Sequence, residues 1–308
     1  MIDFKHNAVL KPLYLTYKTA VSNRYTVGIM EFEKRIVEPG CDNCSLNTHW
    51  IKDSYNKGWF ADPFIIRVED DDFVLLVEEF KYNIRRGVIS QLRIDRNDYS
   101  IKEVKTVLDT GSHLSFPAYY RKDNKLYFYP ESAERGATYL YEYDESECKA
   151  REICMINPNK VADTTLVELP KNVMGGGEFQ FSTTYPNYDE NLLDIYSFSG
   201  TECPMVLPPV MTLKTELMTA RNAGMVFNVN GKLYRPAQDC TNSYGECVEI
   251  QEMKFDGNGI SLHPVNRIFS PNAVYIDAFH TFNVFENKWV AVDARRKRFP
   301  LLAKLLGK

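Results

Sequence analysis

The stretch WFADPFIIRVEDDDFVLLVEEF, residues 59–80, reads as two apolar strands joined by an acidic turn, with Asp62 and Pro63 set near its start. Aromatic and β-branched residues favour a pleated backbone, and a run of acidic residues breaks it. Four later stretches repeat the plan. They are HLSFPAYYRKDNKLYFYPES (113–132), VADTTLVELPKNVMGGGEFQFSTTY (161–185), RNAGMVFNVNGKLYRPAQD (221–239) and IDAFHTFNVFENKWVAVDARR (276–296). Asn230–Gly231 in the fourth is a strong tight-hairpin signal. The first four are followed by a further strand: GVISQLRID (87–95), TYLYEYD (138–144), LLDIYSFS (192–199) and CVEIQEMKF (247–255). Starts recurring at roughly 50–60 residues suit blades of a propeller once each unit holds four strands.

The expected fold is therefore all-β, a five-bladed β-propeller of four-stranded blades, with sustained helical periodicity missing from the body of the chain. Residues 25–294 would form the propeller, 1–24 an extension or closing strand, and 295–308 a basic amphipathic tail. RYTVGIMEFEKRIV (24–37) is a candidate outer strand for one blade.

Composition narrows the function classes. The 308 residues are 44% hydrophobic, 25% charged and 13% aromatic, with a net charge of −4. No basic stripe crosses the body, so nucleic acid is a poor partner. No stretch approaches the ~20 apolar residues of a membrane span. Seven scattered cysteines suit reduced thiols and a cytoplasmic location. Cys41 and Cys44 form a CxxC without a second pair of matching spacing, so neither a metal nor another cofactor is expected. The tail ARRKRFPLLAKLLGK (294–308) is read as a docked, solvated helix, with peripheral contact to the inner face of a membrane as the alternative.

Inner strands line a propeller's channel, so polar residues at equivalent hairpin ends converge across long sequence separations. Asp62, at the entrance of a buried strand, is the candidate general base, or equally an Asx cap ahead of Pro63. Glu131 closes the aromatic strand KLYFYPES, where desolvation would raise its pKa as a general acid requires; the alternative is an edge carboxylate paired with Arg135. Asp163 is the third catalytic candidate, holding a sugar hydroxyl or tuning a neighbouring carboxyl. Arg221, Arg235 and His280 bring donors or positive charge to the same mouth, and Glu79, His113, Ser115, Gln238 and Asp239 complete the expected substrate-binding set. His280 also reads as a satisfied inner-strand histidine.

Several of these motifs stand together in one known family. ADPF (61–64), HLSFP (113–117), PES (130–132), RPAQD with the later YG (235–245) and HTFN (280–283) resemble the N-terminal domain of plant glucosamine inositolphosphorylceramide transferases and its stand-alone bacterial relatives. The resemblance implies a five-bladed propeller similar to family 43 glycoside hydrolases. It also implies a role beside sugar-transferring enzymes, with a saccharide or glycolipid as ligand and a glycosyltransferase as partner. The hydrolase pattern uses an Asp base on the first blade, which Asp62 resembles, a modulating carboxylate and a Glu acid. Here the second hairpin opens with His113 and Ser115 where those hydrolases often place the modulating Asp, leaving Asp163 as its substitute. Two functions follow as expectations: glycoside-hydrolase-like or glycosyl-transferring chemistry in surface-glycan assembly, or a non-catalytic glycan-binding or scaffolding module.

Overall fold

The computed structural model describes residues 22–41, 46–52, 55–184, 191–198, 200, 208–257 and 259–298. Strands β1 (Ser22–Glu31) and β2 (His49–Trp50) come first in the chain but belong to the last blade. Blade one is β3 (Gly58–Val68), β4 (Asp72–Lys81), β5 (Arg86–Asp95) and β6 (Ile101–Leu108). Blade two is β7 (Tyr119–Lys122), β8 (Lys125–Phe128), β9 (Thr138–Asp144) and β10 (Lys149–Asn157). Blade three is β11 (Val161–Leu169), β12 (Gly177–Thr184), β13 (Leu192–Ser197) and β14 (Met211–Lys214). Blade four is β15 (Phe227–Val229), β16 (Lys232–Asp239), β17 (Cys247–Asp256) and β18 (Gly259–Ile268). Blade five joins β19 (Phe282–Phe285) and β20 (Trp289–Arg298) to β1 and β2. The fold is a five-bladed β-propeller, and the repeat read from the sequence is its blade.

Ring closure is the feature that only the structure supplies. β1 pairs antiparallel with β20 in continuous register from Ser22↔Arg298 to Glu31↔Trp289. The segment read as an outer strand is thus the third strand of blade five, and β2 forms the edge. β20 continues through Arg298, so Arg295 to Arg298 are strand residues rather than tail. Arg295 lies 7% exposed, donating to the carbonyls of Tyr244 and Asp277. Residues 299–308, the rest of the expected basic tail, lie outside the described residues, as do residues 1–21.

Apolar side chains bury between neighbouring blades. Val27, Ile29, Phe60, Leu75 and Ala291 join blades five and one, for example, and Phe227, Val248, Phe282 and Val292 join four and five. Alternation on twisted strands gives each blade two such faces, which is why its middle strands are almost wholly buried. The thiols differ from the expectation of a reduced set: Cys41 and Cys154 are each disulfide-bonded, while Cys148 and Cys247 are free. Bridging depends on which sulfurs the fold brings within reach, which distance along the chain does not report.

Candidate active site

The inner strands of blades one and three carry the same defect. Ala61 pairs with Glu78 and Phe64 with Leu76, so Asp62 and Pro63 oppose one residue. Ala162 pairs with Thr183 and Thr165 with Phe181, so Asp163 and Thr164 do likewise. Both are β-bulges, which bend a strand and re-aim a side chain. Asp62 and Asp163 adopt φ of 48° and 49°, a left-handed conformation that Asp tolerates better than most residues. On blade two the matching residue is Phe116 (φ 45°), whose ring packs edge-on against Phe64. The equivalent position on blade two is thus hydrophobic where blades one and three carry an Asp.

These bulges feed one cavity of about 250 Å³ at the mouth formed by the N-terminal ends of the inner strands. Asp62, His113, Ser115, Glu131, Asp163, Arg221 and His280 line it. Asp62 accepts the Phe116 N–H at 3.0 Å on Oδ2, and the Thr281 hydroxyl lies 3.0 Å from Oδ1. Burial pushes its pKa up to about 6, with the Asp293 and Asp163 charges adding to the shift and His280 opposing it. Glu131 is pushed up to about 8 by burial and then by the Asp163 charge, against Arg221. Arg221 clasps Asp163 Oδ2 through Nε and Nη2, both at 2.7 Å, and its Nη2 lies 3.9 Å from Glu131. Arg135, the alternative partner for Glu131, instead pairs with Glu152 at 2.9 Å.

His280 donates Nδ1–H to the buried Asp293 at 2.8 Å and lies 3.9 Å from Asp62. Burial disfavours its proton, but the Asp293 charge and hydrogen bond outweigh that and raise its pKa. Asp62, His280 and Asp293 each place one ligand-type atom within 4.8 Å of the others. With the Nδ1 proton committed to Asp293, that nitrogen acts as a hydrogen-bond donor rather than as a metal ligand.

Four expected substrate-binding residues lie elsewhere. Glu79 points away from the channel, taking the hydroxyls of Tyr55 and of Ser90, the latter at 2.5 Å. Its neighbour Glu78 faces the cavity instead, because successive side chains on a strand alternate between faces. Arg235 is fully buried, spending its guanidinium on Asn222, Gln251 and the carbonyls of Thr219 and Ala220. Gln238 stands behind Asp163, donating to Oδ2 at 3.0 Å. Asp239 pairs with Arg267 across the blade. An aromatic wall of Tyr25, Trp59, Phe80 and Tyr244, absent from the expected set, also lines the cavity. Trp59 and Phe80 stack with centroids 4.7 Å apart, and Tyr25 stacks on His280 at 5.0 Å. No local signal separates Glu78 from Glu79; the strand register does, setting Glu78 opposite Ala61 as Glu131 is set opposite Ser115.

Residues 42–258 match the family described as glucosamine inositolphosphorylceramide transferase 1, N-terminal. The chain belongs to that family. Similar curated proteins are the glucosamine inositolphosphorylceramide transferase 1 of Arabidopsis thaliana, 28% identical over 201 residues, and that of Oryza sativa subsp. japonica, 26% over 206 residues. These alignments cover 64% and 65% of this chain but 26% and 27% of the relatives, so this family member spans about a quarter of their length. Among solved structures, the GH43_1 enzyme from Xanthomonas citri complexed with xylotriose matches at 12% identity and a TM-score of 0.49. That match covers 79% of this chain and 88% of the other. An exo-β-1,3-galactanase from Phanerochaete chrysosporium with galactose matches at 9% identity and a TM-score of 0.47, covering 70% and 57%.

Proposed function

We propose that the protein acts on a glycosidic bond of a saccharide or glycolipid, with Glu131 as general acid and Asp62 as general base. The observation that carries this reading is the pair of carboxyls lining one cavity whose environments separate their proton affinities, to about 8 and about 6. Groups so separated hold one proton to give and one site to receive at neutral pH. Glu131 would protonate the departing oxygen as the glycosidic C–O bond breaks. Asp62 would take the proton of the incoming water or acceptor hydroxyl as the new C–O bond forms. Asp163, clasped by Arg221, would hold Glu131 in its protonated form through its charge. The aromatic wall offers the apolar face that a sugar ring stacks on. A glycosyltransferase is the proposed partner in glycan assembly, since the relatives named as transferases contain this segment as about a quarter of a longer chain.

The test uses panels of alkyl and 4-nitrophenyl glycosides. Glu131→Gln should lose ~10²–10⁴-fold on alkyl glycosides and far less on 4-nitrophenyl glycosides, whose leaving group needs little protonation. Asp62→Asn should lose activity on both. The kcat/KM profile should rise near pH 6 and fall near pH 8, following the two carboxyls. Unchanged turnover in both variants removes the assignment. One observation favours a binding module instead: both Asp62 oxygens already have partners, and Asp163 is locked to Arg221. Calorimetric saccharide binding without turnover of any panel member would establish that reading.

A further inference from the structure

Glu78 is the cavity residue that the acid–base pair leaves without a task. It occupies on blade one the register position that Glu131 holds on blade two. Its Oε1 is out of reach of solvent and has no hydrogen-bond partner among the described residues. Such an atom costs stability, and least when its carboxyl is neutral.

The surroundings of that oxygen are built rather than incidental. His113 approaches it with Nε2 at 3.7 Å. The Gly87 N–H donates to His113 Nδ1 at 2.9 Å, so Nδ1 is the acceptor and Nε2 carries the proton that faces Glu78. The His113 N–H is tied in turn to Glu134 at 2.8 Å. Gly87 has to be glycine for this packing: a Cβ there would stand 2.4 Å from the Leu114 carbonyl and 2.6 Å from Glu78 Oε1.

Resting on the saccharide reading above, we propose that Glu78, braced by His113 and Gly87, selects the substrate by hydrogen-bonding one of its ring hydroxyls. The titratable groups facing Glu78 are Tyr25 on β1, Asp62 on β3, His113 before β7, Glu131 after β8, Asp163 on β11 and Asp293 on β20. Burial, and then the four carboxylates among them, hold the Glu78 pKa well above the usual range. Burial lowers that of His113. Both shifts favour the uncharged forms, an acid beside an imidazole. A neutral carboxyl offers a donor and an acceptor together, matching a hydroxyl, whereas a carboxylate only accepts. With Oε1 turned to the His113 wall, the other oxygen is left for the sugar.

The experiment has two arms. Infrared spectra of ligand-free Glu131→Gln protein at neutral pH should contain a protonated-carboxyl stretch that is lost when Glu78→Gln is added; its absence from the single variant overturns the proposal whatever the protein binds. In calorimetry with methyl glycosides and their monodeoxy derivatives, wild type should reject one monodeoxy derivative by about tenfold or more. Glu78→Gln should keep most of that discrimination, and Glu78→Ala should bind parent and deoxy sugar alike. Discrimination surviving in a folded Glu78→Ala overturns this inference alone. Failure of wild type to bind any glycoside overturns the saccharide reading and this one with it.

Discussion

Asp62, Glu131 and Glu78 hold their protons more tightly in the folded chain than in an unfolded one, and that has a thermodynamic cost. Glu131 titrates about 8 when folded against a reference of 4.5, so folding takes up a proton across that window. Stability is then fully present at low pH and falls as pH rises through the folded pKa. Glu131→Gln removes that loss. By about pH 9 the variant should be more stable than wild type by roughly 2–4 kcal/mol, and near pH 5 the two should melt alike. Thermal melts across that range check it. Part of the slope should remain in the variant, carried by Asp62 and Glu78. Asp62 was legible in the sequence because Asp-Pro ahead of an apolar run is a local signal. Glu78 was not, since neighbouring glutamates look alike until strand register assigns each a face.

Elements meet through polar stitches as well as apolar faces. Asp62 takes the Phe116 N–H from blade two, Glu131 takes the Asp163 N–H from blade three, and Asn222 donates to the Asp163 carbonyl from blade four. Asn283 completes the circle, accepting from the Met225 N–H and donating to the Pro63 carbonyl. Gly224 sits within this seam, and a Cβ there would lie 2.2 Å from the Phe282 carbonyl oxygen. A backbone atom in a sheet cannot step aside as a flexible side chain can. Gly224→Ala should therefore destabilise by about 2–3 kcal/mol, read from urea midpoints at unchanged m-value. Hairpin strands were visible from alternation and turn residues. The stitches were invisible, because each joins residues tens to hundreds of positions apart.

The whole molecule depends on one closure between its ends. β1 contributes Tyr25, Val27, Ile29 and Met30 to the buried set and pairs along the full length of β20. Burying four such side chains contributes roughly 6–12 kcal/mol, comparable with the net ~5–15 kcal/mol stability of a domain. A chain begun after Glu31 should lose its cooperative melt and near-ultraviolet circular dichroism; retention of both would mean that blade five holds without its third strand. The sequence by itself determined the blade, the blade count and the outer limits of the site, since period, turn chemistry and polar hairpin ends are local patterns. Only the tertiary structure decided which strand closes the ring, which of two adjacent glutamates faces the channel, and that Arg235 and Asp239 serve the blades rather than the cavity. Those outcomes depend on register and on contacts between distant segments, and chain order carries no direct record of either.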